Sequence, residues 1–330
     1  MLETISPMGG DEPLPAYLAR QKDADGAAAI VLALARALPP LADRVSAEAL
    51  RGEPGAVVGI NKSGDEQKAL DAEAHDLMID VLRRAGVRQV LSEEAEEVIH
   101  LNAEGRFDVA IDPIDGSGNI GVGAPLGMLF SILPAAEGGF LRCGRAVVAA
   151  GYASFGHSTD IGFSLGEGVT IAVFDRSVGD FRVTRERLRL SPSTRSVAYN
   201  ASNERHWPEG LRRYVRDLLA GREGPRGKDF NMRWLAAAVG DLHRILLKGG
   251  AFMYPADGRP GYARGHLRLV YEGVPVAFLM EQAGGLATNG RTPILDLVPD
   301  ELHAKTPLLF GAAEEIETLC AYLAADPAQL

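Results

Sequence analysis

A chain of 330 residues exceeds what one hydrophobic core usually serves, so two closely packed lobes are expected, and 46% hydrophobic with 24% charged residues excludes a disordered chain. The net charge of −10 argues against nucleic acid, which needs a basic footprint, and Cys143 and Cys320 are too few for a disulfide framework or a thiolate zinc site. No run approaches about 20 apolar residues, so no membrane span is expected; the start carries no basic-then-apolar signal, and the cytoplasm is the expected compartment.

Residues 1–13 read as a flexible arm. Residues 14–50 carry Ala- and Leu-rich helical stretches, broken at Pro39-Pro40, and residues 51–61, rich in Gly and Pro, read as a mobile loop. Leu70, Ala74, Leu77, Met78, Val81, Leu82 and Ala85 recur at three- and four-residue steps, which makes an amphipathic helix that Gly86 ends. Asp65 and Asp71 stand at its entrance. They face one cleft if the turn between them doubles back; otherwise they are helix-start acids favoured by the dipole. Residues 87–91 form a short strand that ends in Ser92-Glu93-Glu94. A second strand, residues 109–111, ends in Asp112 and Asp115. Four carboxylates delivered to one sheet rim repel one another unless a cation sits among them, although residues 93–97 also read as a solvated acidic turn.

The second strand runs into Asp112-Pro113-Ile114-Asp115-Gly116-Ser117-Gly118-Asn119, where the proline is expected to stop it. Carboxylate oxygens and a backbone carbonyl suit a hard cation such as Mg²⁺, and consecutive N–H groups of a Gly-rich turn suit a phosphate. Asp-Pro followed by Asp-Gly is also ordinary turn chemistry. The loop is neither an EF-hand, lacking the alternating acids and closing Glu, nor a Walker loop, lacking the Lys after the glycines.

Residues 126–133, 146–153, 161–165 and 169–174 read as strands between glycine turns, with antiparallel connections. Residues 196–200 add a strand leading to Ser202-Asn203-Glu204, and residues 221–228 read as a polar surface loop. A second amphipathic helix is expected over residues 232–247, with His243 a packed structural histidine, followed by a strand from Ala251 to Tyr254. Alternation from His266 to Glu272 predicts a strand with His266, Arg268, Val270 and Glu272 on one face. Pro275 opens a helix that Gly284-Gly285 stops. There is no internal repeat.

These motifs in this order, from residues 61–65 through Ser92-Glu93-Glu94, Asp112 to Asn119, Asp241-Leu242-His243-Arg244, residues 269–272 and Met280-Glu281-Gln282-Ala283-Gly284-Gly285, resemble class I fructose-1,6-bisphosphatase over roughly residues 14–320. The Asp-Pro-Ile-Asp-Gly-Ser core is shared with the wider lithium-sensitive, Mg-dependent sugar phosphatase superfamily; the segment 233–285 is similar to the bisphosphatase in particular. The resemblance implies an α/β (α+β) fold layered α-β-α-β-α. Its N-terminal lobe, residues 14–195, would carry most metal ligands and its C-terminal lobe, residues 196–330, the sugar-phosphate residues. It implies two or three Mg²⁺ per subunit, replaceable by Mn²⁺, on Glu93, Glu94, Asp112, Asp115, Glu272 and the Ile114 carbonyl. Glu94, assisted by Asp71 and Asp65, would take the proton of the attacking water. Asp115 would also stand against substrate, with the Gly116 and Ser117 N–H groups on the departing phosphate. Asn203, Tyr254 and Arg233, the last reaching in from a neighbour in a homotetramer, would hold the other phosphate beside His266 and Arg268.

The implied activity is hydrolysis of the 1-phosphate of fructose 1,6-bisphosphate, in gluconeogenesis or the Calvin cycle. A dual fructose-1,6-/sedoheptulose-1,7-bisphosphatase and a non-catalytic sugar-phosphate sensor are the alternatives; an inositol-phosphate phosphatase conflicts with the C-terminal motifs. His266 stands where the family usually has Lys, and Trp234 where it usually has Tyr. Asp25-Gly26-Ala27 and Arg106-Phe107 lack the residues that bind AMP in the animal enzymes, so weak AMP inhibition is expected.

Overall fold

The computed structural model of the chain describes residues 12–21, 26–47, 57–60 and 66–325; Asp65, Asp25 and residues 61–64 of the sequence reading lie outside these. In chain order the first half comprises α1 (Leu14–Ala19), α2 (Ala27–Ser46), β1 (Val57–Ile60), β2 (Glu66–Lys68), α3 (Ala69–Arg84), β3 (Gln89–Ser92), β4 (Ile99–His100), β5 (Phe107–Asp115), β6 (Leu126–Pro134), β7 (Ala149–Phe155), β8 (Thr159–Ser164), β9 (Val169–Asp175) and β10 (Asp180–Leu188). The second half adds β11 (Ser196–Tyr199), α4 (Glu209–Leu219), β12 (Asn231–Met232), α5 (Ala238–Lys248), β13 (Ala251–Tyr254), β14 (Leu267–Arg268), α6 (Val274–Gln282), β15 (Leu286–Thr288), β16 (Lys305–Thr306), β17 (Leu308–Gly311) and α7 (Ala313–Ala324).

Eight strands form one sheet in the order β10-β9-β8-β7-β6-β5-β3-β4, and five form another in the order β12-β11-β13-β17-β15. Strand side chains alternate between faces, and here both faces are apolar. Val109, Ile111, Met128 and Phe130 pack with α1, α2 and α3, whereas Ala110, Leu129 and Tyr152 pack with α5 and α6. Those two helices also cover the inner face of the second sheet through Phe252 and Phe310, and α4 and α7 close its outer face around Tyr214, Leu211 and Leu319. The layering is α-β-α-β-α, and the middle helices belong to one core shared by the two sheets.

Three local readings are corrected by the structure, and one strand is added. Helix α2 runs unbroken through Pro39-Pro40. Burial of Leu34, Leu38, Leu41 and Ala42 on the sheet outweighs the lost donors. Val57–Ile60, placed in a mobile loop by its surroundings, pairs antiparallel with Glu66–Lys68. β10, in a segment to which the sequence reading assigned no element, pairs with β9 at the sheet edge and buries Phe181 and Val183. Pro113 does not stop β5. A register shift against β6 between Asp112 and Asp115 absorbs the proline, as a bulge does.

Candidate active site

β3 and β5 are parallel neighbours, with Ser92 opposite Ile111, so their carboxyl ends reach the same rim. This is why Glu93 and Glu94 arrive beside Asp112 and Asp115 although 18 residues of chain or more separate them. Glu272 comes from the other half by a route the alternation did not predict. The strand β14 lasts only two residues, and Leu269–Gly273 turns as a single π-helical turn into α6. That turn swings Glu272 back so that its carboxylate accepts the Arg268 N–H, instead of leaving it on one strand face with His266. π-helical turns of this kind recur at functional sites.

The result is a cavity of about 580 Å³ lined by Lys68, Asp71, Glu93, Glu94, Asp112, Ile114, Asp115, the Gly116–Gly118 turn and Glu272 on one side. Trp234, Ala236, Tyr254, His266 and Arg268 line the other. Ligand oxygens of Asp112, Asp115 and Glu272 lie within 4.8 Å of one another, and all three residues are buried. Burial, reinforced by Glu93, Asp115 and Glu272, raises the Asp112 carboxyl well above the usual range. Burial pushes Asp115 up to about 7 despite a 2.7 Å hydrogen bond from the Val239 N–H. Glu272 is likewise raised by burial and by Glu93. Asp71 is pushed up to about 6 by burial; its Oδ2 accepts the Lys68 N–H at 3.0 Å, while its buried Oδ1 has no hydrogen-bond partner among the described residues. Buried carboxylates that resist ionising together, and an orphaned acid oxygen, fit a hard divalent cation as the missing partner.

The glycine turn is built for close approach. Gly116 has φ +84°, and a Cβ there would lie 2.6 Å from Ala237 Cβ. The turn Ser117–Asn119 is a short 3₁₀ segment, whose first N–H groups have no partner within the turn itself. Opposite, Trp234 stacks on Phe252 at 5.5 Å, and Tyr254 lies parallel to Trp234 at 6.2 Å. His266 stacks on Tyr262 at 5.2 Å and lies tilted against Tyr254 at 5.6 Å. Arg268 is buried, with Nη2 3.8 Å from Glu93.

Two expected residues are not in this cavity. Asn203 sits in the 3₁₀ segment Ala201–His206 and lines a small adjoining pocket that shares Asn200 and Tyr254 with the main one. Arg233 is exposed and its guanidinium bonds the Met232 carbonyl, outside the cavity of its own chain. The helix expected from residue 232 begins only at Ala238. Before it the chain turns through Ala236 at φ +59°, and the buried Asp241 carboxylate accepts the Leu235 N–H at 3.1 Å. Starting late leaves the Val239 N–H in the first turn of α5, aimed at Asp115. His243 is held by Tyr152 Oη at 2.8 Å, a packed position.

Lys68 was missed. Its Nζ donates to the Ser117 carbonyl at 2.6 Å, so a cation on the cavity wall braces the glycine turn. A signal existed: a lysine immediately before a helix opposes the dipole and asks for a reason.

Fold and cavity define a class, the layered α/β phosphatases that gather carboxylates beside a phosphate-sized glycine turn. Comparison with known proteins narrows it. The family model described as fructose-1-6-bisphosphatase, N-terminal domain, matches residues 19–186, and that of the C-terminal domain matches residues 190–324. A class 1 fructose-1,6-bisphosphatase of Brucella anthropi is 49% identical over 319 residues, covering 95% of this chain and 94% of its own. One from Brucella melitensis is 51% identical over 283 residues, 86% of this chain and 83% of its own. The structure of Leishmania major fructose-1,6-bisphosphatase in holo form superposes with a TM-score of 0.89 at 26% identity, covering 96% of this chain and 100% of that one. The chain belongs to the class 1 fructose-1,6-bisphosphatase family.

Proposed function

We propose that the chain is a Mg²⁺-dependent fructose-1,6-bisphosphatase that hydrolyses the 1-phosphate to give fructose 6-phosphate and phosphate. The observation that carries this is the meeting, in one cavity, of the Asp112, Asp115 and Glu272 cluster with the Gly116–Gly118 turn, opposite an aromatic and basic wall. Family membership and relatives bearing that name support the substrate. Glu93, Glu94, Asp112, Asp115, Glu272 and the Ile114 carbonyl are the donors for the cation. When bound, it supplies charge neutralisation at the phosphoryl oxygens and acidifies water.

This chain's residues do the rest. Glu94 takes the water's proton, with Asp71 and Asp65 orienting the water; the raised affinity of Asp71 for a proton suits it to share that task. The Gly116 and Ser117 N–H groups hold the departing phosphate, which moves in line to water without a covalent phosphoenzyme. Tyr254, His266 and Arg268 hold the far phosphate, with Asn203 behind Tyr254. The exposed Arg233 completes that subsite from a neighbour in a homotetramer. The proposed compartment is the cytoplasm; among the described residues no helix is long and apolar enough to cross a membrane. A second reading, dual action on sedoheptulose 1,7-bisphosphate, is favoured by the departures Trp234 and His266 on the sugar-facing wall.

Phosphate release with Mg²⁺ from both bisphosphates, inositol phosphate and adenosine 3′,5′-bisphosphate tests the assignment. Turnover of the inositol substrate with none on the bisphosphates would overturn it. Glu94→Gln is expected to keep the fold and lower kcat by about 10²–10⁴-fold, the usual worth of a general base.

A further inference from the structure

We propose that the cleft where the chain passes from the first sheet to the second is a binding site for a small polyanion, separate from the active site. The connection from β10 to β11 lies across the end of α6, where the Leu190 N–H donates to the Ala283 carbonyl and Arg189 to the Gln282 carbonyl. Between this connection and the last turn of α5 is a cavity of about 620 Å³, of the size that takes a sugar phosphate or a tricarboxylate.

Its lining has one charge sign. Arg189, Arg195, Lys228 and Lys248 line it together with the hydroxyls of Ser191 and Ser193, and no carboxylate does. Among the described residues Arg189, Arg195 and Lys248 form no ion pair; only Lys228 has one, with the buried Glu315 at 3.4 Å. Arg88, Arg259 and Arg264, by contrast, are each held by an acid, Asp108, Asp257 and Asp300 in turn. Cations of one sign gathered along a concave surface raise the local concentration of anions. Lys248 also offsets the negative end of α5, so an anion there needs the arginines as well. Arginine forks and serine hydroxyls are the donors that suit phosphate and carboxylate groups, and both chemistries meet the same requirement. The two cavities share no lining residue.

The test is calorimetric titration of the full chain, metal-free, with pyrophosphate in one arm and citrate in the other. The double variant Arg195→Gln/Lys248→Gln is compared with the unaltered chain, and Arg195→Lys serves as the charge-conserving control. Saturable binding is expected for at least one probe, weakened about tenfold or more in the double variant and within about threefold in Arg195→Lys, while turnover of fructose 1,6-bisphosphate is unchanged. The arm that binds more tightly assigns the ligand to phosphates or to polycarboxylates. Equal affinity of the double variant and the unaltered chain for both probes, or no binding of either by about 10 mM, overturns the proposal.

Discussion

Acid is expected to relieve in the metal-free protein the same repulsion that a divalent cation relieves at alkaline pH. Asp112, Asp115 and Glu272 hold ligand oxygens within 4.8 Å, and at an effective dielectric of about 20 a charge pair at that distance repels by about 3.5 kcal/mol. Asp115 is pushed from 3.8 to about 7, so on folding it holds a proton that the unfolded chain gives up near pH 4. Between those values the folded state binds more protons than the unfolded one. Stability of the metal-free protein therefore falls as pH rises through that window and levels off above about 7. Three units correspond to at most about 4 kcal/mol from Asp115 alone. For 330 residues, at about 2 cal/mol/K of unfolding entropy each, that is a shift in Tm of about 6 °C. Thermal unfolding with EDTA or with about 10 mM MgCl₂, at about pH 5 and about pH 8, reads this directly; the Mg²⁺ increment is expected to be several degrees at the higher pH and small at the lower. Asp115→Asn keeps an acceptor for the Val239 N–H, so it is expected to raise the EDTA Tm at the higher pH and to remove most of the Mg²⁺ increment. Equal increments at both pH values, or an Asp115→Asn protein that is less stable in EDTA at the higher pH, would refute the reasoning.

Three further outcomes are expected. Gly127→Ala places a Cβ 2.1 Å from the Ala153 carbonyl and 2.7 Å from Val239, on the strand that pairs with Asp115, and is expected to cost about 3 kcal/mol or more and to yield little soluble protein. Lys68→Met removes the brace on the Ser117 carbonyl and is expected to lower kcat/KM about 10–100-fold with the Tm nearly unchanged; steady-state kinetics checks it, and an unaltered kcat/KM would make the brace incidental. Ala236→Gly relieves a left-handed alanine and is expected to raise the unfolding free energy by about 0.5–1 kcal/mol in urea melts; a loss of stability would show that the turn is unstrained.

The local chemistry of this protein was written in its sequence. The acids after two short strands, the Asp-Pro-Ile-Asp-Gly-Ser run and the apolar periodicity of α3 are contiguous patterns, and each fixes what its own few residues do. Donor type and strand polarity also put Glu93 and Glu94 with Asp112 and Asp115, since parallel neighbours share an exit rim. Tertiary structure alone decided which distant groups met them. The late start of α5 and the left-handed Ala236 exist because Asp241 and Asp115 each claim a backbone N–H from that turn. The π-helical turn that delivers Glu272 mimics strand alternation in sequence and departs from it because Arg268 supplies the N–H its carboxylate accepts. Helix α2 ignores two prolines because the sheet buries it. Propensity acts over a few residues and is worth tenths of a kcal/mol each, whereas burying a side chain or satisfying a buried carboxylate is worth several times more, so contacts across the chain settled every place where the two disagreed.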